Sequence, residues 1–162
     1  NSADDSYNWY GLKLQLPFSK KWLANEKARK NTRDPLVFFE KDKSPRIAGT
    51  LYHTNYDLNP KDYSAFEETF LKSKMEWLKK ENSALEGKII TNSPESRGGK
   101  FSYQMTFNGT RGIFKEVGLF QRCQEKSFTL KVMIPKEKWD TKEGKEIIDF
   151  VLFKSPCPSP KN

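Results

Sequence analysis

The stretch "KFSYQMTFNGTRGIFKEVGLFQRC", residues 100–123, decides the fold. In its first half Phe101, Tyr103, Met105 and Phe107 alternate strictly with polar residues, the period of a strand that buries one face. Asn108-Gly109 is the strongest short hairpin signal, because a type I′ turn needs positive φ at both central positions. The second half, "GIFKEVGLFQRC", is apolar on both faces and holds two glycines. It reads as a return strand lying centrally in a sheet, or bulged.

Downstream, "SFTLKVMIP" alternates Phe128, Leu130, Val132 and Ile134, a third strand of the same meander. "DTKEGKEIIDFVLFK" (140–154) predicts a terminal helix, with Asp140 and Glu143 at capping-box spacing. Ile147, Ile148, Phe150, Val151, Leu152 and Phe153 give it a wide apolar surface, while Gly144 in the first turn costs about 1 kcal/mol against alanine.

Upstream, "ALEGKIITNSPESRGGK" holds one strand and a glycine-bearing loop. Residues 59–82 predict a long helix with Asp62 as N-cap and Asn82-Ser83 as stop. At 100° per residue Tyr63, Phe66, Phe70, Leu71, Trp77 and Leu78 share one arc, with Lys72, Glu76 and Lys79 opposite. "LVFFE" (36–40) and "RIAGTLYHTN" (46–55) pair around the turn-forming "KDKSP". "YGLKLQLP" sets Tyr10, Leu12, Leu14 and Leu16 on one face of a strand stopped by Pro17, with a short helix after Ser19. Neighbouring strands joined by short turns make an antiparallel sheet, and two helices are too few to cover a doubly wound parallel one. The class is α+β, an antiparallel sheet flanked by helices. Residues 9–157 form one domain, preceded by a flexible segment 1–8 and followed by a tail 158–162.

Composition bounds the function. A chain of 162 residues with 14% aromatics can bury a substantial core. Apolar runs stop at four residues ("VGLF", "FVLF"), which excludes a membrane-spanning helix. The balance of 29 basic and 21 acidic residues, net +8, favours acidic partners: nucleic acid, anionic lipid or an acidic protein face. A chain starting at Asn1 with the polar "NSADDSYN" suits either a cloned fragment or a processed, exported protein, and leaves room for a membrane tether upstream of residue 1.

The two cysteines point the same way. A seven-residue strand after Cys123 spans about 23 Å, and a helix of fourteen or fifteen residues returns about 21–23 Å. Cys157, in the proline-rich "SPCPSP", is therefore expected beside Cys123. A free thiol in an exposed tail would be a liability, so the pair is expected to form a disulfide and to place the protein in an oxidising compartment.

Catalytic constellations are not visible. His53 is the single histidine and sits in a strand, the cysteines lack metal-ligand spacing, and "ESRGGKF" lacks the phosphate-loop pattern. Asn108-Gly109-Thr110 fits a glycosylation acceptor but is explained by the turn. The sequence predicts no enzyme, no metal and no cofactor. The outstanding surface feature is "SKKWLANEKARKNTR", in which Lys20, Lys21, Lys27, Arg29, Lys30 and Arg33 stand against Glu26. It is the expected contact for an acidic partner, with Trp22 as a core anchor beside the first strand.

A strand ending in "LP" followed by tryptophan ("LKLQLPFSKKW"), two strands, a long helix, a meander and a terminal helix ending "IIDFVLFK" together resemble the PsbP-like fold. The resemblance covers nearly all of residues 9–154 and implies an α-β-α sandwich. That family includes an extrinsic photosystem subunit, a Ran-binding nuclear import factor, bacterial envelope lipoproteins and secretion-system chaperones, which share macromolecular binding and no catalytic constellation. The expectation is a non-enzymatic binding or accessory protein of the bacterial envelope, periplasmic or tethered. The alternative is a cytosolic chaperone that holds hydrophobic segments of a secreted effector. Nucleic-acid binding ranks below both, because the basic residues are scattered and the aromatics sit at core periodicities.

Overall fold

In a computed structural model, residues 6–9, 11–30, 34–54, 63–80, 84–93, 100–124 and 126–158 are described, without the side chains of 63–68, 78, 84–93, 100 and 101. Their elements are β1 (Ser6–Trp9), β2 (Leu12–Gln15), β3 (Leu36–Phe39), β4 (Ala48–His53), α1 (Tyr63–Lys80), β5 (Ala84–Ser93), β6 (Lys100–Gly109), β7 (Gly112–Cys123), β8 (Lys126–Pro135) and α2 (Lys142–Phe153). Single 3₁₀ turns form at Lys20–Trp22 and Lys136–Lys138.

The deciding stretch forms the β6–β7 hairpin in a six-stranded antiparallel sheet of order β3-β4-β8-β7-β6-β5. The chain reverses at Thr110-Arg111, two residues later than Asn108-Gly109 predicts, with Gly109 opposite Gly112. The positive φ falls on Gly112 (+122°). Side-chain fit explains this register. It sets Phe107 against Phe114, rings stacked 6.0 Å apart, and Tyr103 against Gly118. A β-carbon at Gly118 would overlap the Tyr103 ring, so only glycine admits that ring to the sheet. β7 is central, as its two-sided pattern predicts: Val117 and Leu119 enter one core and Phe120 the other.

The larger core lies between the sheet and a cover made of α2 and the separate β1–β2 hairpin. Trp9, Leu14, Phe38, Leu130, Val132 and Val151 are all fully buried in it. On the opposite sheet face α1 packs Phe70, Leu71 and Met75 against Tyr103, Met105 and Phe120. The α+β sandwich predicted from sequence is therefore the observed arrangement.

Several expectations are corrected. The flexible segment 1–8 does not extend to Asn8, because β1 pairs with β2 from Ser6 to Trp9. Tyr7 and Trp9 turn inward in a stretch whose composition reads as polar. Asn8 Oδ1 accepts the Gly11 N–H at 3.0 Å, and Gly11 takes φ +81° to close the hairpin. Residues 1–5, Tyr10, Asp62, Asn82 and Ser83 lie outside the described residues, as do the side chains of Tyr63, Phe66 and Leu78.

In α1, Lys72, Glu76 and Lys79 are exposed as predicted, but Trp77 is 60% exposed. At 100° per residue, the inward residues Phe70, Leu71, Lys74 and Met75 centre about 70° from Phe70, which leaves Trp77 about 90° to one side. The cap of α2 is Thr141, whose Oγ1 accepts from Gly144 N, and not Asp140. A β-carbon on Gly144 would collide with the Lys138 carbonyl oxygen, so this glycine is a packing requirement. Phe153, at the end of α2, is 61% exposed and outside the apolar surface assigned to it.

Cys123 and Cys157 form a disulfide, with Cα atoms 5.8 Å apart. β8 is longer and α2 shorter than the sequence geometry assumed, so the helix alone does not return far enough. The tail after Phe153 supplies the difference by running extended. It is fixed by two further bonds: Gln15 N–H donates to the Pro156 carbonyl (2.9 Å) and Gln121 Nε2 to Ser155 Oγ (2.8 Å). Among the described residues no helix is long and apolar enough to cross a membrane.

Candidate functional site

Residues 19–30 of the predicted basic segment form a folded loop on the sheet edge. Ser19 Oγ accepts from Lys21 N (3.2 Å) to start the turn that carries Lys20, Lys21 and Trp22. Leu23 then bridges to Phe38, and Ala24 N–H donates to the Val37 carbonyl (2.8 Å), so the chain runs along the outer edge of β3. Asn25 closes the loop: its Nδ2 donates to the Pro35 carbonyl (2.7 Å) and its Oδ1 accepts from Val37 N (3.0 Å). Inside, Arg29 N donates to the Asn25 carbonyl (3.1 Å) and Lys30 N to Asp34 Oδ2 (2.7 Å).

This frame sorts the predicted contact residues. Lys20, Lys21, Lys27 and Lys30 are exposed. Among the described residues, none of the four lysines pairs with a carboxylate. Arg29 is half-buried, its guanidinium 5.9 Å from the centroid of the buried Trp9 ring, so it belongs to the domain and not to the displayed surface. Arg33 lies outside the described residues.

Trp22, expected to be a core anchor, has a divided role. One face stacks on the buried Phe18 ring, with centroids 6.2 Å apart and planes 28° apart. The remainder lines two clefts. The larger, about 570 Å³, runs between the segment Gln15–Ser19 and the Glu143, Glu146, Asp149 side of α2. Asp149 pairs with Lys154 at 3.6 Å, whereas Glu143 and Glu146 have no cationic partner among the described residues. The smaller, about 330 Å³, is lined by Lys41, Lys43, Lys138 and Lys142 with Glu40 and Glu143. At its base Lys138 Nζ donates to the buried Glu40 carboxylate (2.7 Å), which also accepts from Ile47 N (2.9 Å). That pair is neutralised, and Lys41, Lys43 and Lys142 carry the cleft's positive charge.

The other ionisable cluster is sealed. Tyr103 donates to Glu116 (2.7 Å), and Lys74 of α1 pairs with the same carboxylate. Burial first, then the adjacent Glu116 charge, hold the Tyr103 phenol well above its ordinary pKa. Being 1% exposed beneath α1, it serves to anchor that helix. His53 is exposed at the end of β4, and among the described residues no group of His, Cys, Asp or Glu could hold a metal ion.

No family model and no curated protein matches the chain. Among solved structures, a protein of unknown function, PA94 from Pseudomonas aeruginosa, shares 9% identity with a TM-score of 0.50, over 96% of this chain and 97% of that one. At that identity the likeness concerns the fold, and it extends over essentially the whole domain.

The loop lysines were legible in sequence as charge. The clefts were not, because they join three separated stretches: 15–22, 40–43 and 138–154. The one local signal was Trp22 next to two lysines.

Proposed function

We propose that this chain is a non-enzymatic, PsbP-like binding protein of the bacterial envelope that contacts an acidic macromolecular partner through Lys20, Lys21, Lys27 and Lys30. The observation that carries the reading is the loop itself. Asn25 and the edge of β3 hold it in a defined shape, and that shape displays four lysines without carboxylate partners among the described residues. An ordered display of like charge is costly within one molecule and is offset when an opposite charge docks. The Cys123–Cys157 bond supports an oxidising compartment. It weighs against the cytosolic effector chaperone, which requires both thiols reduced.

The test is charge reversal at Lys27→Glu with Lys30→Glu, both exposed and remote from the core. Partners are cross-linked to the wild-type chain in its native host and recovery is compared for the variant. The expected result is normal thermal stability with partner recovery reduced about tenfold or more, as for an electrostatic contact centre. Undiminished recovery would remove the proposal.

A further inference from the structure

Four tryptophans are present, and three have structural or solvent roles that need no ligand. Trp9 is fully buried. Trp139 donates its indole N–H to the Ile134 carbonyl (2.8 Å) and lies under Lys115, 4.5 Å from the ring centroid. Trp77 is 60% exposed on the outer side of α1. Trp22 differs from all of them. Its inner face is braced by Phe18, and among the described residues its indole N–H has no acceptor and its outer face no covering ring. It is also the wall shared by two clefts of opposite net charge: Lys41, Lys43 and Lys142 outnumber Glu143 in one, and Glu143, Glu146 and Asp149 outnumber Lys154 in the other.

We infer that Trp22 is a stacking platform for a sugar ring, and that the flanking clefts take an acidic saccharide: an anionic unit over Lys41, Lys43 and Lys142, and a neutral, hydroxyl-rich unit over Gln15, Glu143 and Glu146. The inference goes beyond the acidic-partner reading, since it concerns a site separate from Lys27 and Lys30. A braced indole offers a flat apolar surface with little motion to lose, which suits the C–H face of a pyranose. Both clefts fall within roughly 300–1,000 Å³, the range of small-ligand sites. Lysines supply point charges for a carboxylate or phosphate substituent. Ionised carboxylates accept hydrogen bonds and donate none, so they suit hydroxyl groups and repel anions.

The change of sign across Trp22 excludes simpler occupants. A polymer charged at every unit, such as single-stranded nucleic acid, would meet Glu143, which lines both clefts, and then Glu146 and Asp149 on the other side of Trp22. A neutral glycan would leave the lysines unused. An alternating acidic glycan satisfies both sides.

The experiment titrates the oxidised 162-residue chain calorimetrically with a hyaluronan hexasaccharide, which alternates glucuronate with N-acetylglucosamine. Chitin hexasaccharide (neutral), a galacturonate hexamer (charged at every unit) and a thymidylate dodecamer are run alongside. The inference expects the hyaluronan oligosaccharide to bind at least tenfold more tightly than each comparator. Trp22→Ala and, separately, Lys41→Glu with Lys142→Glu should each weaken it about tenfold. The lysine pair is solvent-exposed, so its loss of binding would not reflect misfolding. Lys27→Glu with Lys30→Glu should leave this binding unchanged. Absence of binding, indifference to the Trp22 and lysine substitutions, or preference for the galacturonate or thymidylate probe would each overturn it. Should the hexasaccharide fail while partner recovery in the host still depends on Lys27 and Lys30, the acidic-partner reading stands without this site.

Discussion

Gly144→Ala separates helix propensity from packing, because the two demand opposite signs. Propensity alone predicts a gain of about 1 kcal/mol, since glycine is the costlier residue inside a helix. The structure places the new β-carbon against the Lys138 carbonyl oxygen, which belongs to the 3₁₀ turn immediately before α2. Relief requires that turn and the first turn of α2 to separate. Forced overpacking of this kind costs about 1–3 kcal/mol. The same movement stretches the bond from Gly144 N to Thr141 Oγ1 (3.1 Å), a cap worth about 1 kcal/mol. Subtracting the propensity gain leaves a net loss of about 1–3 kcal/mol. For a chain of this length each kcal/mol corresponds to about 2–4 °C, so Tm should fall by about 2–12 °C. Calorimetry on wild type and variant at neutral pH, both with the disulfide intact, reads this directly. An unchanged or raised Tm would refute the steric argument and restore the propensity reading.

Two further outcomes follow from bonds already described. Replacing both cysteines, Cys123→Ser with Cys157→Ser, frees a separation of 34 residues, and the chain-entropy model assigns about 3–4 kcal/mol to such a loop. Urea titration should show that loss, and a loss under about 1 kcal/mol would mean the tail is held without the crosslink. Tyr103 governs alkaline stability: burial raises its folded pKa, so its contribution is complete below the unfolded value of about 10 and declines as pH rises above it. Unfolding free energies across pH 8–11 should therefore fall more steeply for wild type than for Tyr103→Phe, the difference approaching about 1.4 kcal/mol per pH unit, and parallel slopes would contradict the assignment.

The features that sequence revealed are those governed by local periodicity. Phe128, Leu130, Val132 and Ile134 alternate without exception, and all are buried. The same is true of Tyr103 and Met105, and the deciding hairpin follows from that alternation. Sequence erred where a distant contact chose between local options. Phe107 stacking on Phe114 moved the turn off Asn108-Gly109. The Lys138 carbonyl made Gly144 necessary, and the narrow contact of α1 left Trp77 outside. Ser6–Trp9 was missed because four residues are too short for alternation to outweigh polar composition. The basic loop was legible as charge but not as structure, since Asn25 reaches Pro35 and Val37 by bonds that no pattern announces. The clefts at Trp22 exist only once α2 lies beside the segment leading out of β2.

The backbone bond from Gln15 to Pro156 has a consequence for how the domain is held together. The β1–β2 hairpin precedes the six-stranded sheet in the chain, yet its backbone partner Pro156 follows both that sheet and α2. Without the tail, β2 lacks that backbone bond and Cys123 lacks its disulfide partner. A chain cut short before Pro156 would lack both the Gln15 bond and the Cys123 crosslink. The same short tail therefore carries both the backbone bond to β2 and the crosslink to β7, so severing that one segment would undo two separate ties between the end of the domain and its sheet and cover.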